Sequence, residues 1–361
     1  STVADQLAEI LERTPRTSLD APRGATHDDE FRAEYLRYIA STMDRLDLLG
    51  LSMRQRPRLA LSMAYMSLTV SEQDGDRRSR FNRDPFAAHW FSRSKDPDRA
   101  SVVRVEAAIG ATRRTLVRGE AGSGKTTLLD WLAVTAARGG FTDQLAEWNG
   151  CVPFVVRLRR YAGADLPRPE RFLDHTADML VGIMPEGWVH RCLHSGHALM
   201  LVDGVDEVPT GKRPAVRKWL SGLVAAYPEA RVVVTARPAA TDAKWLADEV
   251  FSAVFLEKMS AGDIDMFLER WHEAAAGATS LPCEPHELPA AVRRLRTQLD
   301  ARPHLRQLAA SPLLCAMLCA LNLGRSSELP RNRMELYRAA LDMLLELRDA
   351  ERGIARPLDA I

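Results

Sequence analysis

Gly119-Glu120-Ala121-Gly122-Ser123-Gly124-Lys125-Thr126 fits the pattern G-x-x-x-x-G-K-[ST] at every fixed position. The chemistry open to such a stretch is the holding of a polyphosphate. Glycines are needed where a Cβ would collide with phosphate oxygens or where the backbone turns through positive φ. Backbone N–H groups and the start of the following helix then present positive potential to the anion. Lys125 is expected to reach the β- and γ-phosphates, and Thr126 to place its hydroxyl on Mg²⁺. The nucleotide-binding set expected from the loop is Gly119, Ala121, Gly122, Ser123, Gly124, Lys125, Thr126 and Thr127. Such a string can arise by chance in a Gly-rich loop, but here an apolar strand (115–117) precedes it and an apolar helix (127–133) follows, which is the required context.

A phosphate loop of this kind needs a carboxylate at the C-terminal end of a neighbouring strand. Ala198-Leu199-Met200-Leu201-Val202-Asp203 has that form, so Asp203 is the expected Mg²⁺ ligand with Thr126. Asp206 and Glu207 follow within four residues, where a carboxylate can orient or deprotonate an attacking water. Asp206 is favoured for that work. For Glu207 a solvated acidic turn is an equal reading. A further apolar run, 231–235, leads to Ala236-Arg237. An arginine there can pair with phosphate oxygens and report the γ-phosphate, or can merely cap a surface loop.

The elements that must position these groups are short apolar runs alternating with helical stretches from residue 101 onward. This pattern predicts an α/β fold with a parallel sheet flanked by helices. Strands are predicted at 115–117, 152–158, 198–202 and 231–235, rich in Val and Leu as strands covered on both faces are. Strand patterns stop after residue 254, and helical periodicity runs from 261 to the end. Before the loop, residues 30–49 read as a helix with apolar Phe31, Tyr35, Ile39, Met43 and Leu46, while 60–70 fit a strand or a buried segment equally. Residues 74–84 are charged and read as a loop, with a boundary near 95–98. The expected organisation is an N-terminal mostly helical region (1–97), a nucleotide-binding domain (98–257), a helical domain (258–326) and a last unit (327–361).

With 361 residues, 46% hydrophobic and 27% charged, the composition is that of a globular protein. The runs around 309–323 are too short and interrupted to cross a bilayer. A net charge of +1 gives no overall pull toward nucleic acid or anionic membrane, so neither is an expected partner. Five cysteines at irregular spacing and an N-terminus without a secretory pattern lead to the expectation of a reducing, cytoplasmic setting. Heavy use of Ala, Arg and Leu fits a GC-rich bacterial genome.

Four strings, GEAGSGKTTLLDWLA, LMLVDGVDEVP, VVVTARP and ASPLLCAMLCAL, together resemble the NACHT domain of the STAND class of P-loop signalling NTPases, which includes bacterial antiviral proteins and animal NOD-like receptors. Most specific is Asp203-Gly204-Val205-Asp206-Glu207. The resemblance covers roughly residue 101 to the end. It implies ATP/ADP and Mg²⁺ as ligands, slow turnover, and an ADP-bound resting monomer that self-associates on exchange for ATP to activate an effector, in bacterial antiphage defence with a ligand such as a viral protein as trigger. It also implies that Pro312, at a helix start, lies against adenine, and that residues 329–345 open a winged helix. The sequence ends at Ile361, short of a full winged helix and of a C-terminal sensor, so truncation is expected; the N-terminal region is expected to be a helical adaptor. Alternative functions are a STAND-type transcriptional regulator, for which no DNA-binding element is visible, and a constitutive P-loop ATPase.

Three other groupings read as structural. His190, Cys192, His194 and His197 have no familiar zinc spacing and read as a loop leading into the Asp203 strand. Cys315 and Cys319 share a face of an apolar helix and read as buried. The basic stretch 293–306 lacks interleaved aromatics and reads as a solvated helix face.

Overall fold

The computed structural model describes residues 22–44, 46–47, 58–59, 61, 65–72, 103–276, 283, 285–324, 329–330 and 332–339. Its centre is a seven-stranded sheet. In chain order the elements are α1 (Pro22–Met43), a short antiparallel pair of β1 (Leu46–Asp47) and β2 (Arg58–Leu59), then β3 (Thr69–Glu72), β4 (Val103–Arg104), α2 (Val105–Gly110), β5 (Arg114–Arg118) and α3 (Lys125–Arg138). These are followed by β6 (Val152–Arg157), the one-turn α4 (Asp178–Val181), α5 (Trp188–His194), β7 (Ala198–Asp203), α6 (Arg213–Ala226), β8 (Arg231–Ala236) and β9 (Ser252–Leu256). The C-terminal helices are α7 (Ala261–Ala276), α8 (Leu288–Ala301), α9 (Pro303–Ala309) and α10 (Pro312–Gly324).

The strand order is β4-β3-β9-β5-β8-β7-β6, with β9, β5, β8, β7 and β6 all parallel and β3 and β4 antiparallel at one edge. The parallel strands are covered on both faces, so their residues are apolar without alternation: all six residues of β7 are buried. The four predicted strands are present, each with its end shifted by no more than one residue. Three strands of this sheet, β3, β4 and β9, lie outside the predicted ones, as does the β1–β2 pair. β9 extends the sheet past residue 254 and is the second parallel partner of β5. β3 comes from the ambiguous 60–70 stretch and adds an antiparallel strand beside β9, so the sheet draws a strand from before residue 98.

Strand order also corrects the expectation that the acid strand neighbours the loop strand. β8 lies between β5 and β7. The register nonetheless aligns their C-terminal ends, pairing Arg118 with Ala236 and Arg157 with Asp203. The crevice beyond these ends, with β8 on one side of β5 and β9 on the other, is where open α/β sheets bind ligands.

α1 packs its Phe31, Tyr35 and Ile39 face on β6 and α5: Phe31 meets Trp188 edge-on at 4.8 Å, and the Tyr35 hydroxyl donates to the Pro153 carbonyl at 2.7 Å. Arg191 closes a two-pronged ion pair on Asp28. Residues 188–194 form helix α5, not the expected loop, because Trp188, Val189 and Leu193 at helical spacing fill the core. His190 sits there between Tyr227 and Glu170. Cys315 and Cys319 are buried on α10. Of the basic stretch, Arg296 pairs with Asp265 and Glu269, while Arg294 donates to Asn322, so it ties α8 to α7 and α10 rather than facing only solvent. Residues 333–339 are helical, whereas 74–84, 95–98 and 341–345 lie outside the described residues. Among the described residues no single helix is long and apolar enough to cross a membrane; α9 with most of α10 would pass together but is bent by 117°.

Candidate nucleotide-binding site

β5 ends at Arg118, and the chain turns through Gly119–Gly124 into α3. Two glycines carry this turn in the left-handed region, Gly122 at φ +75° and Gly124 at φ +90°. A Cβ on Gly122 would lie 2.9 Å from the Leu313 Cβ, and one on Gly119 would lie 2.7 Å from the Ser123 hydroxyl. The loop thus has no room for a Cβ at Gly119 or Gly122. The first α3 amides have no partner within the helix, and they open on a cavity of about 630 Å³, within the range of small-molecule sites.

The cavity has a polar and an apolar end. At the polar end Lys125 Nζ donates to the Gly119 and Glu120 carbonyls at 2.7 and 2.8 Å, curling over its own loop. Burial lowers its pKa from the ordinary lysine value, while Asp206 and Asp203 support the charged form against Arg237. Asp203 is buried at the end of β7 with both oxygens engaged. Its Oδ1 accepts from Thr235 at 2.7 Å, and its Oδ2 accepts from Thr126 at 3.0 Å and from Arg157 at 3.1 Å. The structure therefore brings Thr126 and Asp203 together, as a shared divalent cation requires, and hydroxyl plus carboxylate oxygen is the donor type Mg²⁺ takes.

Asp206 and Arg237 also meet. Arg237 Nε lies 2.8 Å from Asp206 Oδ2, and the Arg237 amide donates to Oδ1 at 3.0 Å. Both line the cavity, as does Glu207, whose carboxylate packs beside Gly204 at φ +81°. Burial raises the Glu207 pKa, and Asp203 adds to the effect. Of the loop residues, Ala121 to Thr127 line the cavity, with Gly119 at its root holding Lys125.

The apolar end is built from three parts of the chain: Tyr65, Met66 and Leu68 ahead of β3, Phe267 and Trp271 on α7, and Pro312 with Leu313 on α10. Pro312 occupies the first turn of α10, where its missing N–H costs nothing. α10 is bonded to the loop itself, because Ser311 Oγ and Leu313 N both donate to the Gly122 carbonyl at 3.2 Å. Tyr65 stacks on Trp131 of α3 at 4.2 Å and gives its hydroxyl to Glu106, while its carbonyl accepts from Arg270 of α7.

Sequence reasoning missed Arg157, Thr235, Arg159 and the Tyr65 segment. Arg157 lies one residue inside the end of the predicted 152–158 strand and ends the observed β6, so its place near a strand end was a signal in the sequence. Arg157 spans Asp203 and, through Nη2 at 2.6 Å, Asp130. Burial opposes its charge but the two carboxylates raise its pKa, while desolvation pushes Asp130 up to about 6 against the pull of Arg157.

A glycine cradle at the head of a helix, an acid at a strand end and a central parallel sheet define a P-loop NTPase. Residues 113–275 match the family model of the NACHT domain, and this part of the chain is a NACHT domain. Among solved structures, a Walker-type ATPase of Pyrococcus abyssi is similar at 12% identity and a TM-score of 0.37, over 69% of this chain and 75% of that one. No curated protein gives a significant match.

Proposed function

We propose that the chain is an ATP/ADP switch with slow Mg²⁺-dependent turnover, in which the C-terminal helices follow the state of the phosphate loop. The observation that carries this reading is the bonding of α10 to Gly122: two donors from Ser311 and Leu313 converge on one loop carbonyl. A loop that shifts to wrap phosphates shifts that carbonyl, and differential binding of two nucleotides then biases two helix arrangements.

Lys125 exchanges its loop carbonyls for phosphate oxygens. Thr126 and Asp203 hold Mg²⁺, which neutralises phosphate charge when bound. Pro312 and the apolar end take the base. Arg237 distinguishes ATP from ADP because a γ-phosphate competes with Asp206 for its guanidinium, and that competition frees the Asp206 carboxylate to orient water. Glu207 stands behind it as a second carboxylate. Self-association on activation, a trigger such as a viral protein, an effector partner and a cytoplasmic antiphage role in bacteria belong to the same reading and rest on the family resemblance.

Purified protein is expected to carry ADP, detected by chromatography after heat release, and to hydrolyse ATP slowly. Empty protein with fast multiple turnover would sink the switch in favour of a constitutive ATPase. Arg237→Ala is expected to leave ADP affinity unchanged and to weaken a non-hydrolysable ATP analogue by about 1.5 kcal/mol, roughly tenfold, the value of one charge-assisted hydrogen bond. Titration calorimetry with both nucleotides checks it, and equal losses for the two would remove Arg237 from the γ-phosphate.

A further inference from the structure

We infer that Arg157 is a positioning residue for the metal end of this site: its guanidinium staples the phosphate-loop helix to the acid strand and so sets the gap between the Thr126 hydroxyl and the Asp203 carboxylate. The inference rests on the reading above, in which those two groups hold Mg²⁺.

Thr126 and Asp130 are four residues apart on α3 and therefore share a face. Asp203 ends β7, and its register partner Arg157 ends β6. The guanidinium forks across the space between helix and strand, with Nη2 on Asp130 at 2.6 Å and Nη1 on Asp203 Oδ2 at 3.1 Å. The same Oδ2 accepts the Thr126 hydroxyl at 3.0 Å. Thr126, Asp203, Arg157 and Asp130 thus form a closed circuit, one side of which is one turn of helix. Thr235 fixes the other oxygen of Asp203, so the carboxylate cannot rotate within the circuit.

Charge supports the same role. A lone cation beside Asp203 would weaken its hold on a metal ion. Arg157 is instead balanced by Asp130, so it orients Asp203 with little net charge of its own. Only a planar fork reaches both carboxylates at once; an ammonium is a single point. Groups that orient a metal ligand typically account for tenfold or more in metal affinity.

The test is a Mg²⁺ titration of the full chain, read by binding of a fluorescent ADP analogue, alongside melting of each variant. Asp130→Ala leaves Arg157 on Asp203 but releases it from α3. Arg157→Lys keeps the charge but loses the fork. Arg157→Met combined with Asp130→Asn removes both charges and guards against misfolding from an unpaired carboxylate. All three are expected to raise the Mg²⁺ midpoint about tenfold while Mg²⁺-free analogue affinity stays at the parent value. Variants with lowered melting temperature and the parent's midpoint would show a structural ion pair and overturn the inference. A parent that binds the analogue with no Mg²⁺ dependence would overturn the metal assignment itself, which is a different result from a Mg²⁺-dependent parent with unshifted variants.

Discussion

Lys125→Ala is expected to weaken both ADP and ATP by about 2–3 kcal/mol, roughly 30- to 150-fold, because it removes the loop's own cation from a buried phosphate group. The side chain already sits over the loop, its Nζ within 2.8 Å of the Gly119 and Glu120 carbonyls, and Asp206 and Asp203 favour its charged form where burial alone would not. Its reach to a phosphate is therefore a short swing from one set of oxygens to another. Titration calorimetry on the variant, with far-ultraviolet circular dichroism to show an intact fold, checks the loss. Undiminished affinity would mean that the loop binds something other than phosphate.

Gly122→Ala carries the second large effect, and it acts on the link to α10 as well as on the phosphate cradle. At φ +75° an alanine costs about 1–2 kcal/mol in backbone strain. Its Cβ would also stand 2.9 Å from the Leu313 Cβ and 3.2 Å from the Ser311 hydroxyl. One of the two segments must then withdraw, and with it go the hydrogen bonds to the Gly122 carbonyl. A total of about 2 kcal/mol corresponds to roughly thirtyfold faster ADP release, measurable by stopped-flow fluorescence. Gly222→Ala is the matched control: it sits within α6 with nothing within 4 Å of its added Cβ, and release is expected at the parent rate. Equal behaviour of the two variants would break the connection between α10 and nucleotide retention.

The parts legible in the sequence are those whose chemistry demands fixed residue types. A phosphate cradle requires its glycines, lysine and threonine in one order, and doubly covered parallel strands require unbroken runs of Val and Leu, so the loop and four central strands could be read directly. Strand order could not. Nothing in the apolar runs says that β8 lies between β5 and β7, since all three look alike from within the chain. β3, with Ser71 and Glu72 among its four residues, has too little apolar character to announce itself and is held in place by β9, nearly two hundred residues on. Arg157 and Tyr65 escaped for a related reason. Each becomes functional only through partners distant in sequence: Asp203 by strand register, Trp131 and Arg270 by the folding of separate helices onto one cavity. α5 is seven residues long and has only Trp188, Val189 and Leu193 as its buried face, too short an apolar repeat to mark a helix in the sequence.

The central claim, that the nucleotide in the loop sets where the C-terminal helices sit, is tested most directly by a distance. Fluorescent labels at exposed Lys218 on α6 and exposed Thr297 on α8, introduced by chemistry that spares the native cysteines, report the separation of the sheet domain from the helical unit. A nucleotide-operated switch requires that separation to differ by several ångströms between protein saturated with ADP and protein saturated with a non-hydrolysable ATP analogue. The same distance distribution in both states would contradict it.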